Sequence, residues 1–105
     1  MLTKLKELTG GNESRMRVYI DMYKSSVAEF EKDLRAGIET NDLLTIRTTI
    51  HTAKPIFTLF ELSELWTLAN EIESNIDLKQ NLDAVPTQAT ALLAMMKKNL
   101  KELEA

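Results

Sequence analysis

The sequence predicts an all-α protein, an antiparallel up-down-up-down four-helix bundle with a short helix added at its N-terminus. Three observations predict it. Apolar residues recur at steps of three and four through four segments, the spacing of one helix face. The breaks between segments are polar, and two of them end in good helix caps, Asn12 and Asp42. The alternating pattern of a strand competes nowhere. Four amphipathic helices joined mostly by short connections bury their stripes most economically against one another.

Taken in order, Leu2–Leu8 predicts the short helix, packed over one end. The first long helix opens at Asn12, with Glu13 placed at the positive end of the helix dipole. Its stripe is Met16, Ile20, Tyr23, Val27, Phe30 and Leu34. Ile38 extends that stripe past Gly37, so the helix is expected to reach about Glu39 and to tolerate the glycine at a cost of about 1 kcal/mol. Asn41-Asp42 caps a second helix whose stripe is Leu43, Ile46, Ile50, Ala53, Phe57 and Phe60. A third stripe follows in Leu62, Leu65, Ala69, Ile72 and Ile76. Trp66 sits about 100° off it and is expected to be only partly buried. From Asp77 to Val85 the periodicity fails, which marks the longest linker. Asp83 or Val85 is expected to cap the fourth helix, with Pro86 in its first turn and Ala89, Leu92, Met96, Leu100 and Leu103 on its buried face. The Met95-Met96 pair and the aromatics read as core filler.

A chain of 105 residues fits one domain, spanning 1–105. Its formal charge of −3, from 13 basic and 16 acidic residues, gives no electrostatic footprint for nucleic acid. With no cysteine there are no disulfides, no thiolate chemistry and no cysteine-bound metal. No segment has the roughly 20 apolar residues of a membrane span, and the first residues lack the apolar core of a signal peptide. The expected compartment is the cytoplasm.

Most catalytic constellations are missing. Gly10-Gly11 is not followed by the Gly-Lys-Ser/Thr of a phosphate loop, and a single histidine cannot build the two-histidine helical zinc motif. The carboxylates read as solvated helix faces. What remains is His51. It follows stripe member Ile50 by one residue, so it lies about 100° round from the core direction. Arg47, His51, Lys54 and Thr58 then form one ribbon beside the apolar stripe. That ribbon holds a nucleophilic imidazole, two cations and a hydroxyl, a set suited to a phosphoryl adduct: the ring nitrogen attacks and the cations offset charge on the transferred oxygens. A solvated surface histidine is the ordinary alternative, and by spacing alone the commoner one.

A resemblance shifts that balance. From about Asn12 to Leu103 the chain resembles the histidine-phosphotransfer (HPt) domain family. The residues that carry the resemblance are Leu34, Asn41-Asp42-Leu43, Ile50-His51-Thr52-Ala53-Lys54, Phe60-Glu61-Leu62-Ser63-Glu64-Leu65, Leu68, Ile72 and Glu73. It implies that His51 is the phosphoacceptor, exposed near the middle of the bundle, and that Lys54 favours the charge of the phosphoryl group. It implies that Glu73, on the next helix, approaches the imidazole and orients it. Two departures stand out. Proline replaces the usual glycine at Pro55, as in a His-x-x-Lys-Pro subset of the family, and predicts a kink or a distorted turn beside His51. Glu61 stands where the family commonly turns on glycine, adding negative charge beside the docking face.

The function implied is passive carriage of a phosphoryl group between aspartates of response-regulator receiver domains, with a hybrid histidine kinase as a further partner. The protein would be no enzyme in its own right, and would need no cofactor and no metal. Leu44, Arg47, Thr48 and Thr58 would form the partner-binding face of a monomer, apolar at its centre and charged at its rim. Three rival readings give different chemistry: an adaptor of the same fold that binds without transfer, a structural bundle with an incidental histidine, and axial haem ligation by His51.

Overall fold

A computed structural model describes residues 2–104. The elements are α1 (Thr3–Thr9), α2 (Glu13–Glu39), α3 (Leu43–Leu59), α4 (Ser63–Asp77) and α5 (Val85–Glu104), with a 3₁₀ turn at Leu82–Ala84. The four long helices form the expected antiparallel bundle, in which α2 and α4 each pack on both α3 and α5. There is no strand among the described residues.

Local chemistry sets the helix starts. The Asn12 side chain accepts from the Arg15 amide at 3.0 Å, and Asp42 accepts from both the amide and the hydroxyl of Thr45 at 3.1 and 2.7 Å. Each satisfies a donor that the first helical turn leaves unpaired. The helix ends share a different device. After α2, α3 and α4 the chain turns through Asn41, Glu61 and Lys79, all left-handed with φ between 51° and 56°. In each turn the following amide closes back on the last helical turn: Asp42 to Gly37 O, Leu62 to Phe57 O, Gln80 to Asn75 O. This is the Schellman arrangement, built here without glycine.

Glu61 is the informative case. Its carboxylate accepts from the backbone amides of Thr3 at 2.7 Å and Lys4 at 3.4 Å. The residue that departs from the HPt pattern therefore caps α1, and fully buried Leu5 anchors that helix to the core. Gly37 has a second role besides being tolerated: a Cβ there would meet Ile46 Cγ1 at 2.9 Å, so the glycine lets α3 lie close against α2.

One local expectation needs correction. Neither Asp83 nor Val85 caps the last helix through its side chain; the 3₁₀ turn runs directly into α5, and Val85 is a fully buried helical residue. Pro55 does not interrupt α3, which continues through it to Leu59. Pro55 is exposed, and proline has no N–H to offer the His51 carbonyl.

Tyr23, Leu34, Ile46, Ile50, Phe57, Ile72, Leu92 and Met96 form the fully buried centre, with Tyr23 and Phe60 ring centroids 5.0 Å apart. All eight lie on the predicted stripes. Trp66 is partly exposed, as its offset from the stripe predicts.

Candidate functional site

The antiparallel pairing of α3 with α4 builds the site. As α3 runs forward α4 runs back, so Arg47 faces Asp77, His51 faces Glu73 and Lys54 faces Asn70. Apolar residues of α3 at Ile46, Ile50, Ala53 and Phe57 and of α4 at Leu65, Ala69 and Ile72 hold the two helices together from the core side. The polar row is the outer edge of that same seam.

His51 stands at its middle with a side chain 66% exposed. Its Nδ1 lies 2.8 Å from Glu73 Oε1. A carboxylate accepts, so Nδ1 carries a proton, and in the neutral ring the lone pair belongs to Nε2. Nε2 makes no hydrogen bond among the described residues. The ring is thus fixed at one nitrogen and open at the other.

Glu73 is the hub. Only 10% of its side chain is exposed, which corrects the expectation that the carboxylates all lie on solvated faces. Oε1 meets His51 and lies 3.5 Å from Arg47 Nη2, while Oε2 accepts from Lys54 Nζ at 3.0 Å. Burial is the strongest single influence on this carboxyl and opposes its ionisation. Hydrogen bonds from Lys54 and His51, with the charges beside it, outweigh burial together and hold the group below the ordinary 4.5.

Lys54 does not reach outward from the ribbon. Its ammonium turns towards α4, donating to Glu73 and to Asn70 Oδ1 at 3.1 Å and lying 4.9 Å from the centre of the Trp66 ring. Arg47 is likewise engaged: Nε and Nη2 donate to the two oxygens of Asp77 at 2.5 and 3.2 Å. That forked pair pulls the Asp77 carboxyl below its usual range. Leu44, Thr48 and Thr58 are exposed on the same side of α3.

Sequence reasoning placed His51, Lys54 and Glu73 in one neighbourhood and missed Asn70, Asp77 and Trp66. A signal for them existed. Once His51 is set opposite Glu73, antiparallel register sets Lys54 opposite Asn70 and Arg47 opposite Asp77.

The arrangement offers one exposed nucleophile, oriented by a carboxylate and bordered by two cations. It does not suit a metal: no group of three histidine, aspartate or glutamate side chains comes together in ligating geometry among the described residues. No described helix is long and apolar enough to cross a membrane. The chain matches no family model, and comparison with curated proteins and with solved structures gives no significant similarity.

Proposed function

We propose that this protein carries a phosphoryl group on Nε2 of His51, taking it from and returning it to aspartates of response-regulator receiver domains in a cytoplasmic phosphorelay. The observation that carries the reading is the pairing of His51 with Glu73 on an otherwise open ring. The lone pair of Nε2 attacks phosphorus in line, and the bond from phosphorus to the aspartyl oxygen breaks with its electron pair returning to the carboxylate. The ring becomes cationic in that step. Glu73, already holding the Nδ1 proton, faces the new positive charge.

Nothing else in the site is asked to activate the phosphoryl donor. The receiver supplies the charge stabilisation for its own aspartyl phosphate; this chain supplies an oriented nucleophile and a docking face. Leu44, Thr48 and Thr58 surround His51 on the accessible side of α3 and suit that contact. The protein acts as a monomeric carrier, not as an autonomous enzyme. The resemblance to HPt domains, carried by His51-Thr52-Ala53-Lys54 and the flanking helix signals, points the same way.

Incubation with phosphorylated receiver domains of the source cell is the test. Acid-labile, base-stable label is expected on the wild type and none on His51→Gln. Label that persists on His51→Gln overturns the site. Receiver binding with no transfer leaves an adaptor of the same fold.

A further inference from the structure

The charges around His51 are already matched. Two cations, Arg47 and Lys54, face two carboxylates, Asp77 and Glu73, beside a ring that is neutral when its lone pair is free. A phosphoryl group on Nε2 carries roughly −1.5 to −2 at neutral pH, and the ring, cationic while Nδ1 keeps its proton, offsets only part of it, so a net negative charge is added. The cation best able to meet it is Arg47. Its guanidinium lies 3.5 Å from the same Glu73 oxygen that holds the imidazole, and its fork fits phosphate oxygens as well as it fits a carboxylate. Lys54 is spent more completely, enclosed by Glu73, Asn70 and Trp66.

Accepting the phosphocarrier reading of His51, we infer that Asp77 is a positioning residue that withholds Arg47 from the phosphoryl group. Both Asp77 oxygens take part in the pair, and although both side chains are partly exposed, this two-point fork holds a guanidinium more firmly than a single contact does. The phosphoryl group on His51 then stands without a tight counter-ion from its own chain beyond the ring that bears it. That suits a carrier which must release its cargo to the next acceptor, because each contact made only to the bound phosphoryl group has to be broken again on transfer.

Small-molecule phosphorylation isolates this point from any partner. With phosphoramidate, Nε2 bonds to phosphorus as the bond from phosphorus to nitrogen breaks, and ammonia leaves with the electron pair; Nδ1 keeps its proton against Glu73. The ³¹P shift of the product, followed against pH, gives the midpoint of the second phosphoryl ionisation. An adjacent guanidinium lowers that midpoint.

In the wild type the midpoint is expected to be unmoved by Arg47→Gln. Asp77→Asn is expected to lower it by about one pH unit, and Asp77→Asn combined with Arg47→Gln to restore it. Asp77→Glu, which keeps the carboxylate, is expected to behave as wild type. An Asp77→Asn midpoint equal to wild type overturns the inference, as does a wild-type midpoint that rises on Arg47→Gln. A wild type that forms no phosphohistidine at all, while remaining folded by circular dichroism, overturns the carrier reading itself. The two failures are therefore distinct.

Discussion

Two carboxylates in this bundle each sit between cations, and they differ in what surrounds them. Glu31 on α2 accepts from Arg35 one turn along and from Lys97 on α5 at 2.9 Å, on an open face of the bundle. Glu73 sits between α3 and α4 with three partners, and its side chain is only 10% exposed. Both are held below the ordinary carboxylate range, Glu31 chiefly by Lys97 and then Arg35. At the α2–α5 edge water competes for every partner, so the cluster is weakly held. At the α3–α4 edge burial makes each partner necessary, because an unmatched charge there is costly. Only the second cluster includes an imidazole. Similar components make a surface ion-pair cluster in one place and a largely buried, imidazole-bearing one in the other.

The sharpest way to break the comparison is at the imidazole. His51→Gln is expected to abolish phosphoryl labelling completely, whereas Lys97→Gln is expected to leave it unchanged; equal loss in both would mean that the α3–α4 cluster has no special role. Glu73→Gln comes next. It is expected to slow labelling of His51 by about tenfold, since the ring loses its fixed orientation. Chemical denaturation of Glu73→Ala should show about 2 kcal/mol lost, because half-buried Lys54 is left without its main partner. Glu31→Ala is expected to leave the denaturation midpoint within error of wild type.

Acid separates the two clusters more gently. For each carboxylate the folded form holds its proton less tightly than the unfolded chain, so between the two midpoints the unfolded state carries more protons and stability rises with pH. That contribution is complete above the ordinary value of 4.5 and is lost as pH falls below it through the folded midpoint. Glu73→Gln is expected to flatten this acid limb in urea titrations more than Glu31→Gln does. Within the α3–α4 cluster the smallest effect is expected at Trp66, where replacement by leucine removes the ring beneath the Lys54 ammonium and costs about 0.5 kcal/mol, with labelling retained.

Much of this was legible in the chain itself. The stripes through Ile20–Leu34, Ile46–Phe57, Leu65–Ile72 and Ala89–Met96 defined four helices because burial of one face repeats with the helical period. Asn12 and Asp42 marked two helix starts because capping is a local event between a side chain and amides three residues on. His51 stood out because its offset from Ile50 is fixed by helix geometry alone.

Tertiary structure decided the rest. That Glu73 is a buried hub, that Lys54 turns inward onto Asn70 and Trp66, and that Asp77 takes both ends of the Arg47 fork all depend on how far α3 slides along α4. Glu61 became the cap of α1 because a turn of the bundle brought it beside amides 58 and 57 residues away in sequence. Periodicity within a helix fixes which face each residue occupies; only the packing of helix on helix fixes which residue stands opposite.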